Sequence, residues 1–187
     1  MKIQNTHITG AKQNGFTMIE LGVTLVIMAI LAAGMYSIVG GKVDDAQAQS
    51  YAQEIAQSAM NLKNRHATQP PAVRYQGIDV SSAESALTQT LSQSIDTGQV
   101  LLDWGVTIDI SSSNNMGAAG NTNQKWDING LPEAQCRTMI ALLADSFATV
   151  LNSSNNVIKA RATNDRLEPS EIDSACSSDS NDIAAVM

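Results

Sequence analysis

The sequence predicts an α+β chain built on one long N-terminal helix, and three observations carry that expectation. Residues 15–41, GFTMIELGVTLVIMAILAAGMYSIVGG, hold a single charge, Glu20, and from Leu21 to Gly41 there is none. After Lys42 the chain stays rich in helix formers and meets no proline until Pro70-Pro71. Further on, Val106, Ile108 and Ile110 alternate with Thr107 and Asp109, the two-residue period of a half-buried strand.

The first fifteen residues are polar, lack acidic groups and carry Lys2 and Lys12. Such a positive end stays on the cytoplasmic face while the apolar run behind it points outward. At ~1.5 Å per residue, that run is long enough as a helix to cross a bilayer core of ~30 Å. Glu20 is the oddity, because a carboxylate deep in such a segment costs about 2.5–3.5 kcal/mol on insertion scales. A secretory signal peptide would need a small-residue cleavage site after its apolar core. Here Gly40, Gly41, Lys42, Val43, Asp44 and Asp45 follow instead, and Ala32-Ala33-Gly34 lies inside the run. A simple membrane anchor leaves Glu20 without a purpose.

The fragment Gly15-Phe16-Thr17-Met18-Ile19-Glu20 closely resembles the processing site of type IV prepilins. It combines a glycine, a hydrophobic residue after it, a glutamate five positions on and an unbroken apolar helix. The resemblance implies that a membrane peptidase cuts between Gly15 and Phe16 and that the new amine of Phe16 is N-methylated. Glu20 becomes the fifth residue of the mature subunit, where its carboxylate meets the buried N-terminal amine of an adjacent, axially staggered copy. It implies four regions: a leader, 1–15; a transmembrane or filament-core half of the helix, 16–41; an amphipathic half, 42–69; and a globular α+β head, 70–187. The implied fold is that of the type IV pilins, a long helix packed on an antiparallel sheet with a C-terminal disulfide-bonded region. The leader's length is similar to that of the type IVb subclass. The implied partners are prepilin peptidase, the inner-membrane assembly machinery, the inner membrane before assembly, and further copies in a helical filament. The product is an extracellular pilus for adhesion, aggregation, conjugation or a related surface role. A minor pilin, a type II secretion pseudopilin, or an uncleaved membrane-anchored binding module are the rival readings.

The helix is expected from Phe16 to about Ala67, roughly 78 Å at the α-helical rise. Its second half carries an apolar stripe, Ala48, Ala52, Ile55, Ala59 and Leu62, in steps of four and three along one face. His66 continues the stripe and reads as a packing or capping residue. Pro70 and Pro71 end the helix. Ser81-Ser82-Ala83-Glu84 fits a capping box with Ser81 as N-cap, followed by a short helix with Leu87, Leu91 and Ile95 that stops before Gly98. The strand at Val106–Ile110 and a return at Lys125–Asn129 make an antiparallel hairpin, with Ser111–Asn123 as a wide polar loop. Pro132 fits the first turn of another helix, with Cys136, Ile140, Leu143, Phe147 and Val150 as its stripe to about Leu151. Val157–Ala162 reads as a strand, Pro169–Ile172 as a helical turn ahead of Cys176, and Ile183–Met187 as a closing strand. The order LPEAQC, helix, second cysteine, terminal strand resembles the C-terminal disulfide region of type IVb pilins.

Composition limits the chemistry. The net charge is −7, and the leader holds only Lys2 and Lys12, so the remainder stands near −9. That balance argues against direct nucleic-acid binding, which needs a basic stripe. Cys136 and Cys176, two cysteines in an exported protein, read most simply as one disulfide, with two buried free thiols as the alternative. His66 is the one histidine beyond the leader and no close cysteine pair exists, so no metal site is expected. Nor does Ser111–Asn123 offer a calcium loop, since no acidic residue lies between Asp109 and Asp127. No nucleotide-binding glycine loop, paired-histidine motif or serine elbow is present, and no enzyme activity or cofactor is expected.

Overall fold

A computed structural model describes residues 17–114, 120–160 and 167–187, and for 33–43 the helical backbone without side chains. The chain divides into two compact units, residues 1–41 and 42–187, and helix α1 (Met18–Arg65) contributes to both. The second unit is the head. Its foundation is the anticipated stripe: Ala48, Ala52, Ile55, Ala59 and Leu62 are each at most 2 % exposed and join one core with Val100, Ile108, Trp126, Ile128 and Ile183. Three of the five stripe residues are alanines, so the helix backbone lies close to the sheet and its carbonyls come within reach of sheet side chains. Buried Gln124 uses this closeness, donating its Nε2 to the Ala59 carbonyl at 2.7 Å while its Oε1 accepts Trp126 Nε1 at 3.2 Å. His66 packs its ring against Tyr75, centroids 5.5 Å apart, as its place on the stripe predicts.

Between helix and sheet the structure departs from expectation. The N-cap is Asp79, not Ser81: its Oδ1 accepts Ser82 N at 2.7 Å, and Ser82 Oγ accepts Asp79 N at 3.0 Å. A carboxylate suits the positive helix end better than a hydroxyl does, and the Ser82 backbone N–H holds the Asp79 carboxyl below its ordinary range. Helix α2 (Val80–Ala83) passes into a 3-10 turn (Glu84–Ala86), Leu87 is extended, and α3 (Gln89–Gln93) follows, in place of one amphipathic helix. Bonds to α1 replace the helical ones at the break. Thr88 N donates to Ser58 Oγ at 2.9 Å, Thr88 Oγ1 to Glu54 Oε2 at 3.2 Å, and Asn61 Nδ2 to the Ala86 carbonyl at 3.2 Å. Ile95 belongs to a strand. β1 (Ile95–Asp96) and β2 (Gln99–Leu101) form a hairpin whose two central residues, Thr97 and Gly98, have φ of 50° and 87°, as the tightest hairpin turn requires.

A turn at Asp103–Gly105 leads into β3 (Thr107–Ser113) and holds Trp104 at φ 62°. Trp104 meets Tyr51 of α1 edge-on at 5.9 Å, and Tyr51 Oη donates to Asp103 Oδ2 at 2.7 Å. Burial, then the Asp103 carboxylate, push the Tyr51 hydroxyl up to about 12. β3 pairs with β4 (Asn123–Leu131) from Thr107 opposite Asn129 to Ser113 opposite Asn123. The hairpin is therefore longer than the apolar pattern implies, because Ser111–Ser113 and Asn123–Gln124 join the ladder despite their polarity. Residues 115–119 of its loop lie outside the described ones.

Pro132 is the N-cap of α4 (Glu133–Ser146) and not a residue within its first turn. The helix also stops five residues early. Phe147 is extended, Ala148 N donates to the Val186 carbonyl at 2.9 Å, and β5 (Thr149–Asn152) enters the sheet. Branched Thr149 and Val150 favour that outcome. β6 (Val157–Ala160) pairs with β5, and the expected strand beyond residue 160 falls outside the described residues. After α5 (Pro169–Ala175) comes β7 (Asn181–Val186), which starts two residues before the expected closing strand. Among the described residues the sheet is seven-stranded and antiparallel, in the order β1-β2-β3-β4-β7-β5-β6, so β7 lies inside it. Cys136 on α4 and Cys176 after α5 are fully buried and joined, with Cα atoms 5.7 Å apart. The fold is α+β, consistent with the type IV pilin fold.

Both the buried amide and the disulfide of the head can be tested by substitution. Gln124→Leu leaves Trp126 Nε1 without its acceptor and should lower stability by about 1–3 kcal/mol in denaturant unfolding; a change below ~0.5 kcal/mol, the size of an inert surface substitution, would contradict the bridging role. Closing a loop of this length contributes about 4 kcal/mol in the chain-entropy model, so Cys136→Ser should cost ~2–5 kcal/mol. Alkylation of the folded wild-type protein should label neither cysteine, and two reactive thiols would refute the bridge.

Candidate functional site

The N-terminal end of α1 is built by its own sequence. Thr17 precedes the first helical residue, Met18, and its Oγ1 accepts the Glu20 backbone N–H at 3.3 Å while its carbonyl accepts Leu21 N at 3.1 Å. Thr17 is thus the N-cap and Glu20 stands at the third helical position, the spacing of a capping box. Sequence reasoning missed this role of Thr17, although Thr-x-x-Glu is a purely local signal. Glu20 is exposed and sits in the first turn, where a negative charge gains roughly 0.3–1 kcal/mol from the helix dipole. Thr24 Oγ1 donates to the Glu20 and Leu21 carbonyls at 3.0 and 2.9 Å. At spacings of three and four, Thr17, Glu20 and Thr24 make one narrow polar strip along the helix.

Everything around that strip is apolar and uncovered. Ten large hydrophobic residues between Met18 and Leu31 are exposed, from 52 % at Ile27 to 93 % at Met18. Burying each contributes about 1.5–3 kcal/mol, so leaving all ten in water is costly. A helix apolar on every side is stable when lipid or other helices surround it. Among the described residues no helix is long and apolar enough to cross a membrane. Of the expected segment 16–41, side chains are described only for 17–32; the sites expected at Gly15 and Phe16 lie outside the described residues.

The disulfide ties α4 to the turn after α5, and Arg137 beside it bridges Glu133 at 2.7 Å and Asp173 at 2.5 Å. A polar pocket of about 150 Å³ on the sheet is bordered by Lys125, Asp127, Asn129, Asn152 and Asp182, with Lys125 Nζ already paired to Asp127 at 2.7 Å. Sequence reasoning missed it because its walls come from β4, β7 and the β5–β6 turn. Among the described residues no three His, Cys, Asp or Glu side chains are grouped to hold a metal ion.

The family model for the prokaryotic N-terminal methylation motif matches residues 10–36, a span that contains Gly15, Phe16, Glu20 and the described apolar turns of α1. No curated protein matches this sequence. Such a motif implies processing by a prepilin peptidase. The motif at its head, with an α+β, disulfide-closed domain after it in sequence, makes the chain similar to type IV prepilin-like proteins.

Proposed function

We propose that this protein is the major subunit of a type IV pilus of the IVb kind, made as a prepilin in the bacterial inner membrane. It is cut between Gly15 and Phe16, N-methylated at Phe16, and polymerised through α1 into an extracellular filament serving adhesion, aggregation or conjugation. The observation that carries this reading is the exposed, all-round apolar stretch of α1 from Met18 to Leu31, with one carboxylate at its start, inside the methylation motif. Lipid covers that surface before assembly, and the helices of other copies take lipid's place in the filament core. In that core a free N-terminal amine is costly unless paired. Glu20, about one turn along, supplies the counter-charge to a staggered neighbour. The pair is desolvated only when both partners are present, which favours one register over random aggregation.

A minor pilin or a secretion pseudopilin would carry the same motif. Sheared surface fibres separate the readings, since a major subunit dominates the preparation. An uncleaved anchored module would keep its leader, which mass spectrometry of the membrane-extracted N-terminus detects.

The glycine at the scissile bond fits a peptidase pocket that has no room for a side chain. Gly15→Val should therefore leave the leader attached, and complete processing of that variant would remove the site assignment. Glu20→Leu separates two roles by their size. Loss of the helix-dipole contribution is at most about 1 kcal/mol and spares the filament; loss of a buried pair costs about 3–5 kcal/mol at every subunit contact. We expect normal amounts of cleaved subunit and few or no fibres by electron microscopy. Fibres of normal number and length would exclude the pairing role.

A further inference from the structure

We propose that Asn129 is a latent deamidation site, and that Asp182 is the residue that keeps it closed. Two Asn-Gly dipeptides occur in the sequence, Asn14-Gly15 and Asn129-Gly130, and the proposed cut would remove the first with the leader. The second lies at an irregularity in the middle of the sheet. Ile128 pairs with Ile183 and Leu131 with Asn181, so Asn129 and Gly130 together oppose Asp182 alone. A bulge of this kind leaves one backbone N–H without a ladder partner. Gly130, at φ 83°, takes the conformation the bulge needs, and its N–H is donated to Asp182 Oδ1 at 2.9 Å. On the far side of the bulge Asn181 Nδ2 donates to the Leu131 carbonyl at 3.0 Å, fixing where regular pairing resumes.

Asn-Gly is the dipeptide most prone to cyclise, because glycine presents no side chain to the attack. The Gly130 nitrogen forms a bond to Asn129 Cγ, and the bond from Cγ to Nδ2 breaks. The Gly130 amide proton leaves with Nδ2 as ammonia, giving a succinimide. Water then opens the ring at either carbonyl, leaving aspartate or isoaspartate. Asn129 borders the open polar pocket, so that water has access. Two features oppose the first step. Asn129 is held in a strand opposite Thr107, and the ladder restrains the backbone rotation that ring closure needs. The Gly130 N–H also faces a carboxylate, and a nearby negative charge disfavours the amide anion that must attack. Isoaspartate would add a backbone carbon where β4 meets β7 and shift the register of the residues beyond it.

The test is incubation of the full-length protein at pH 8 with peptide mapping for isoaspartate at residue 129. Asp182→Ala removes both acceptor and charge and should raise the rate about tenfold or more, the factor that matches loss of a hydrogen bond to a charged group. Asp182→Asn keeps an acceptor without the charge and should fall between that variant and wild type. The urea-unfolded wild type gives the unguarded rate. Equal rates in folded wild type and Asp182→Ala would overturn the proposal, as would a folded wild type that deamidates as fast as the unfolded protein. Circular dichroism of both variants confirms that the sheet is intact; if Asp182→Ala is unfolded, the comparison of Asp182→Asn with wild type decides in the same way.

Discussion

Gln124 sits where the helix meets the sheet, and the arrangement of the head depends on what it does there. It is fully buried, and its amide joins a helix carbonyl to an indole N–H. A buried amide left unpaired would cost more than a single made bond contributes, so only one placement of helix on sheet satisfies it. The hydrophobic stripe alone would tolerate sliding by one turn, because alanines at 48, 52 and 59 resemble one another. The amide removes that freedom, and Ser58 and Asn61 add the 86–88 segment to the same fixed relation.

Helix α1 thus serves two environments with two compositions. In the head, small residues and a narrow stripe let it lie close to β4 and the strands around it. Between Met18 and Leu31 the same helix carries large side chains on all sides with one polar strip, which suits surroundings that are themselves apolar. The Thr17 cap helps such a segment start cleanly in spite of its β-branched residues: the free N–H of Glu20 is met by a side chain from the helix's own entry.

What was legible in the sequence was what period and punctuation encode. The stripe from Ala48 to Leu62, the strand at Ile108–Ile110 and the pairing of two cysteines were all readable because each depends on local spacing or on count. The N-cap at Asp79 was not, since Ser81 and Asp79 both precede a helical run and only the reciprocal bond with Ser82 decides between them. The end of α4 was misjudged for a related reason. Phe147 and Val150 continue a helical stripe on paper, yet Ala148 and Thr149 find partners on β7, and tertiary pairing outweighs a weak local preference. The apolar start of α1 and its glutamate were the most legible feature of the site. The polar pocket and the bulge at Asn129 were invisible, because they arise where distant strands meet.

The place of β7 has a consequence for timing. It is the last described strand, yet β4 and β5 pair only through it. Until residues 181–186 emerge, the sheet is two separate pieces, β1 to β4 and β5 with β6, each with an open edge. Cys176 comes only five residues before β7 begins, so the two cysteines and the two halves of the sheet become available almost together. The head therefore closes late and at once. During synthesis the protein carries unfinished strand edges that only its final described segment can fill.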